Sequence, residues 1–283
     1  MKKILVIGTK GMAGHVVFSS LQMKGDYEVY GIARNIEPSK NTYNLDITDT
    51  EALLKIMNKQ FDIIINCIGI LNNDAEENPH KAIWFNSYFP HFLEAATKNT
   101  NTKIISISTD CVFSGSKGNY NEEDFKDGTG FYAVSKSLGE INNTKDLTIR
   151  TSIIGPELNQ NGIGLFHWFM QQEGKTKGYS KAFWSGITTI ELANVIDQAI
   201  KQDISGLITI AGNPKIDKYN LLLLFNKIFR NDSIEITENP NYVLDKSMFS
   251  LRQDFEYTVP TYEFMITEMK KWIESKVYSY NYL

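Results

Sequence analysis

Residues 3–22, KILVIGTKGMAGHVVFSSLQ, decide how this chain folds. An apolar run from Ile4 to Ile7 breaks into glycines at positions 8, 11 and 14, then resumes with Val16, Val17 and Leu21. The first part reads as a buried strand and the part from Met12 onward as a helix. Glycines between them permit a tight turn, and they let a ligand's phosphate approach backbone N–H groups at the helix N-terminus. The plainer alternative is an ordinary strand–turn–helix joint. The chain has 19 glycines in 283 residues. At that frequency chance supplies roughly 0.1 triplets of this spacing, before a flanking strand and helix are required. The stretch is therefore read as a dinucleotide phosphate loop.

Short apolar runs alternate with helical patterns through the rest of the first half. Strands are expected in ILVIG (4–8), YEVYGI (27–32), TYNL (42–45), FDIIIN (61–66), KIISIS (103–108) and LTIR (147–150), with helices near 12–24, 49–58, 79–98 and 131–143. Such alternation means βαβ units, and so an α/β, Rossmann-type doubly wound parallel sheet. The second half is less regular. Residues 156–187 are loop-rich and aromatic, and IELANVIDQAIK (190–201) with GLITIAG (206–212) reads as a return to the sheet. YNLLLLFNKIF (219–229), SIEIT (233–237) and YEFMITEMKKWI (262–273) then make a smaller C-terminal lobe. The expected division is 1–155 plus about 188–212 for the dinucleotide-binding domain, and 156–187 plus 213–283 for the substrate lobe.

A net charge of −4 with dispersed lysines argues against nucleic acid or an anionic membrane as partner. No apolar run is long enough to span a bilayer. Cys67 and Cys111 sit in apolar runs, as free thiols in a reducing cytoplasm would. The four histidines show no ligand spacing, so no metal is expected.

In a doubly wound sheet ligands bind just after the strands. Arg34 closes the second strand 20 residues after Gly14, and no acid stands there. An acid would select the ribose 2′-OH of NAD, whereas arginine accommodates a 2′-phosphate, so NADPH is preferred and NADH left open. After the third strand, Asp46 and Ile47 are placed to meet the adenine, although Asp46 serves equally as a helix N-cap. The fifth strand ends in Ser106, Ser108, Thr109 and Asp110, whose hydroxyls taken singly satisfy loop backbone. Tyr132 and Lys136 follow, four apart on one helix face. Tyr-x-x-x-Lys is weak alone: chance supplies about 1.2 matches in this composition, and Tyr242 with Lys246 is a second. Position gives the first pair its weight. A tyrosine hydroxyl, with a pKa near 10, is a poor acid at neutral pH until a nearby ammonium favours its phenolate. In the loop-rich region Trp184 is expected as an exposed aromatic lining a substrate cleft. Arg252 is its companion, as a clamp on a pyrophosphate, with pairing to Asp254 as the ordinary alternative.

Six stretches together resemble the extended short-chain dehydrogenase/reductases, and within them the dTDP-4-dehydrorhamnose reductase family. They are GTKGMAG (8–14), FDIIINCIG (61–69) with ENPHKAIWFNS (77–87), STDCVFSG (108–115), GFYAVSKSLGE (130–140) and IRTSIIG (149–155). The resemblance covers most of the chain. It implies Thr109, Tyr132 and Lys136 as the catalytic set, with Thr109 and Asp110 towards substrate. It also implies Gly8, Gly11 and Met12, with Gly14, on the cofactor pyrophosphate, and Cys67, Ile68 and Gly69 beside the cofactor. The implied reaction is NADPH-dependent reduction of a nucleotide-linked 4-keto-6-deoxy sugar for surface polysaccharide, by a cytoplasmic enzyme with homodimerisation an open expectation. Two departures fall on the substrate side. Cys111 stands where the rhamnose enzyme has Tyr, and KAFWSGITT (181–189) where it has Gln-Phe-Gly-x-Pro-Thr. The nucleotide and sugar stay open, a UDP-linked N-acetylhexosamine included. A 4,6-dehydratase would carry Glu at position 111, so that activity is not expected. A non-catalytic NADP-binding regulatory subunit of the same fold is the rival from another class.

Overall fold

The computed structural model describes residues 1–282, and the chain divides into two compact units. The first comprises Met1–Ser108, Thr129–Arg150 and Ala199–Ile208. Its strands are β1 (Lys2–Ile7), β2 (Tyr27–Ala33), β3 (Thr42–Asn44), β4 (Ile63–Asn66), β5 (Lys103–Ser108) and β6 (Leu147–Arg150). These six pair in parallel. With Gly206–Thr209 at one edge they form a seven-stranded sheet ordered Gly206–Thr209, β6, β5, β4, β1, β2, β3. The order reverses between β1 and β4, where Ile7 lies opposite Asn66, and that switch point is where such sheets take ligands.

The local reasons are legible. Every residue of β4 is buried, which is why its sequence is a continuous apolar run without alternation. Helix α1 (Met12–Lys24) is buried from Ala13 through Ser19 and stops at Gly25, whose φ of 74° is left-handed. Helix α2 (Thr50–Met57) is capped by Asp49, which accepts from Ala52 N at 3.0 Å. The cap is therefore Asp49 and not Asp46, which instead closes a turn on Thr48. Next come α3 (Asn72–Glu77), α4 (Pro79–Ala82) and α5 (Phe89–Thr97), with a π-helical turn over Ile83–Tyr88 joining the last two. Helix α6 (Gly130–Leu138) ends earlier than the expected 143 because Gly139 passes tightly against Asn86. A Cβ on Gly139 would lie 1.8 Å from the Asn86 carbonyl oxygen. Ile7, Ile32, Leu53, Ile64, Phe89, Leu93 and Ile104 are fully buried in the core between sheet and helices.

The second unit comprises residues 109–128, 151–198 and 209 onward. It holds helices Leu165–Met170, Lys218–Arg230 and Tyr262–Glu274. Lys175–Tyr179 pairs in parallel with Glu235–Asn239, and Ala182–Trp184 lies between Ile216–Asp217 and Leu244–Asp245. Phe166 and Phe169 are fully buried, and Phe166 meets Phe225 edge to face at 5.3 Å. Residues 109–128, 151–155, 188–198 and 209–212, expected in the dinucleotide-binding portion, fall instead in the second unit. For 109–128 the cause is packing: Phe113 stacks on Tyr120 at 4.2 Å, and Tyr120 N donates to Ser247 O. Among the described residues no helix is long and apolar enough to cross a membrane.

Candidate functional site

In the first unit the three glycines of the opening stretch do different work. Gly8 has φ of 94°, a conformation that side chains rarely adopt. Gly14 brings the first turn of α1 onto the loop, since a Cβ there would lie 2.1 Å from Gly8 O. Gly11 is the N-cap, offers no side-chain capping bond, and no acid stands in the first turn. The first-turn N–H groups, Met12 included, thus face an end that favours an anion. This cradle fits a dinucleotide pyrophosphate. Cys67 and Ile68 line the same end, because a Cβ on Gly8 would come within 2.9 Å of Ile68. Burial pushes the Cys67 thiol up to about 12, so it is neutral. His15 is buried against Gly11 O at 2.8 Å, and burial lowers it to about 4, so it too is neutral.

Arg34 lies directly after β2, with its side chain 71% exposed and 3.5 Å from Asp46. The Thr48 amide does most to hold the Asp46 carboxyl below the usual carboxylate range, with a smaller contribution from Arg34. An exposed pair at this distance is weak, so Arg34 is at liberty to take a phosphate. Lys10, from within the glycine motif, reaches Asn35 O at 2.9 Å. No sequence pattern marks this second cation at the end of β2, because Lys10 is 25 residues from Asn35. Ile47 is 4% exposed and belongs to the core, so it does not present a face for adenine. If the two cations hold a 2′-phosphate, Arg34→Ala should weaken NADPH binding by about 1.5–3 kcal/mol, the scale of a charged hydrogen bond. NADH binding should hardly change. Equal affinity for both cofactors in the parent protein would refute this.

Tyr132 and Lys136 sit on α6 as expected, and Lys136 is buried. Lys136 Nζ donates to Ile107 O at 2.6 Å. Burial pushes this lysine down to about 8, against the opposing pull of Glu140 and then Cys67. Gly69 adjoins it, since a Cβ there would lie 3.9 Å from Lys136 Nζ. Thr129, the N-cap of α6, makes no side-chain capping bond. Glu76 of α3 fills that role by accepting from Tyr132 N at 3.2 Å. Asn86, on the π-helical turn, accepts from Ile70 N and donates to Ile70 O and Ser135 Oγ. Ser87 Oγ donates to Ser135 O at 2.7 Å. These contacts fix both α6 and the chain after β4. The competing pair fails on geometry: Tyr242 is exposed beside Tyr179, and its segment is not helical.

In the second unit, Thr109 and Asp110 are buried at 7% and 6% exposure. Thr109 Oγ1 accepts from Cys111 N and donates to Asp110 Oδ1, both at 3.1 Å. To serve a substrate oxygen, this hydroxyl must exchange the Asp110 bond for a new one. Burial raises the Cys111 thiol, with Asp110 adding to it, so position 111 carries a neutral group. Trp184 corrects an expectation. It lies in strand Ala182–Trp184 opposite Ile216, is 6% exposed, and packs on Tyr262 at 5.7 Å. It is a core side chain, and the aperiodic reading failed because a three-residue strand shows no period. Arg252 takes the ordinary alternative, pairing through both Nε and a terminal nitrogen with Asp254.

A doubly wound parallel sheet with an anion cradle after β1 defines a Rossmann-type α/β protein. The chain belongs to the family described as the RmlD substrate binding domain, whose model matches residues 1–221. It is 29% identical over 170 residues to dTDP-4-dehydrorhamnose reductase of Aggregatibacter actinomycetemcomitans, covering 58% of this chain and 55% of that protein. The match therefore spans about half of that relative's length. Methionine adenosyltransferase 2 subunit beta of Bos taurus is 23% identical over 259 residues, covering 84% of this chain and 76% of that one. Among solved structures, dTDP-4-dehydrorhamnose reductase of Bacillus anthracis in complex with NADP superposes with a TM-score of 0.80. It is 19% identical and covers 98% of this chain and all of that one (100%), a likeness of fold.

Proposed function

We propose that this protein is an NADPH-dependent ketoreductase acting on the 4-keto group of a nucleotide-linked 4-keto-6-deoxy sugar. It would work in the cytoplasm, for surface polysaccharide synthesis. The observation that carries the reading is Tyr132 and Lys136 on α6, with Lys136 buried against the end of β5. When bound, the nicotinamide supplies a hydride. Gly8, Gly11, Met12 and Gly14 hold the pyrophosphate, while Arg34 and Lys10 hold the 2′-phosphate. Tyr132 donates a proton to the carbonyl oxygen, and Lys136 steadies the phenolate that remains and reaches the cofactor ribose. Thr109 and Asp110 are assigned to the substrate, the Thr109 hydroxyl as a hydrogen-bond donor. Arg252 is assigned to the substrate pyrophosphate if it leaves Asp254. The identity of the nucleotide, dTDP or UDP, is the part that assay must decide.

The test is a panel of nucleotide 4-keto sugars with NADPH, followed by the loss of nicotinamide absorbance. One observation favours a second reading, a regulatory subunit that binds NADP(H) without turnover: the beta-subunit relative matches along more of this chain than the reductase does. NADPH binding with no turnover on any sugar would select it. Homodimerisation belongs to the first reading, supported by the exposed Phe131, Val134 and Leu138 on α6 and by exposed Ile83 and Tyr88. A monomer in sedimentation velocity would exclude it.

A further inference from the structure

Glu140 lies four residues beyond Lys136, just past the Gly139 cap of α6. Its side chain is 2% exposed, and that of its partner Arg150, the last residue of β6, is 1% exposed. Arg150 grips it with a fork, Nε donating to Oε1 at 2.9 Å and a terminal nitrogen to Oε2 at 2.7 Å. Ser108 Oγ donates to Oε1 as well, at 2.7 Å. The residue before Ser108 is Ile107, whose carbonyl receives Lys136. Two consecutive residues at the end of β5 therefore hold Lys136 and Glu140, and β6 holds Glu140 from its other side.

Stability alone is a weak reason to bury such a pair, because desolvation cancels most of its attraction. Charge balance is a better one. Lys136 and Arg150 are two buried cations, and Glu140 is the carboxylate that acts on both. The other titratable group acting on Lys136 brings no negative charge at neutral pH, because burial holds the Cys67 thiol neutral. Asn86 and Ser135 beside α6 are uncharged. Resting on the reductase reading, we propose that Glu140 is a positioning residue for Lys136. Clamped by Arg150 and Ser108, it is the fixed negative charge that keeps the Lys136 ammonium in place at the end of β5.

The test follows Lys136 directly, by the NMR titration of lysines isotope-labelled at Cε, with its signal assigned through loss in Lys136→Arg. Glu140→Gln should move the Lys136 titration to lower pH by about one unit, the lower end of what a neighbouring charge does. Arg150→Met should move it to higher pH, so one variant suffices if the other fails to fold. Ser108→Ala keeps both charges and should leave the titration in place, whereas a purely structural role would move none of them by sign. The pH at which NADPH binding is lost should shift in step with each variant. A titration unmoved in the folded Glu140→Gln or Arg150→Met protein overturns the proposal. A titration that moves as expected, in a protein that neither binds NADPH nor reduces a keto sugar, overturns the reductase reading and leaves this inference standing.

Discussion

Tyr132→Phe is expected to lower kcat by at least ~10², the low end for loss of a general acid, with NADPH affinity almost unchanged. The substitution keeps the ring and removes only the hydroxyl. Helix α6 should stay in place, because its contacts run through the Tyr132 backbone N–H to Glu76, through Ser135 to Asn86 and Ser87, and through Gly139. Lys136→Ala should differ in kind, lowering both kcat and cofactor affinity, since Lys136 is assigned to the ribose as well. Steady-state kinetics with a separate fluorescence titration of NADPH distinguishes the two. A Tyr242→Phe protein more impaired than Tyr132→Phe would mean that the wrong Tyr-x-x-x-Lys pair had been chosen.

That choice shows what the sequence could carry. The strands KIISIS and LTIR appear at their expected limits as β5 and β6, because a buried parallel strand is a bare apolar run bounded by turn residues. Helix α1 likewise matches, its ends marked by Gly11 and Gly25. The pair Tyr132 and Lys136 was legible through position, the residues that fix it were not. Glu76 is 56 positions from Tyr132, and Asn86 is 49 from Ser135. No local pattern announces a cap or a clamp delivered from so far along the chain. Trp184 was misread for the same reason: its strand partners, Ile216–Asp217 and Leu244–Asp245, are remote in sequence. Burial that tertiary pairing creates leaves little periodicity in three residues. Residues 109–128 follow β5 directly in sequence, yet they belong to the second unit, where Tyr120 and Met248 form a bridge.

Gly14→Ala and Gly11→Ala should separate what folding asks of the opening glycines from what a ligand asks. At Gly14 the added methyl would sit 2.1 Å from Gly8 O and 2.7 Å from Gly8 C, both backbone atoms held by β1. Neither can yield like a side chain, so α1 must shift along the sheet. Overpacking of this kind costs about 1–3 kcal/mol, and Tm should fall whether or not cofactor is present. At Gly11 the backbone has φ of −77° and ψ of 165°, which any residue adopts. The added methyl there would meet Gly8 O at 3.4 Å, an ordinary contact. Stability without cofactor should therefore stay within about 1 kcal/mol of the parent, the small cost of alanine at an N-cap being offset by a stiffer unfolded chain. The methyl would nevertheless stand where the pyrophosphate must approach the first-turn N–H groups. NADPH affinity should drop at least roughly tenfold, about 1.4 kcal/mol, and most of the stabilisation that NADPH gives the parent protein should vanish. Thermal shifts of both variants, with and without NADPH, measure all four values. If Gly11→Ala bound NADPH as tightly as the parent, the phosphate would have to lie elsewhere, and the three-residue step of glycines would reduce to the packing of α1 on β1.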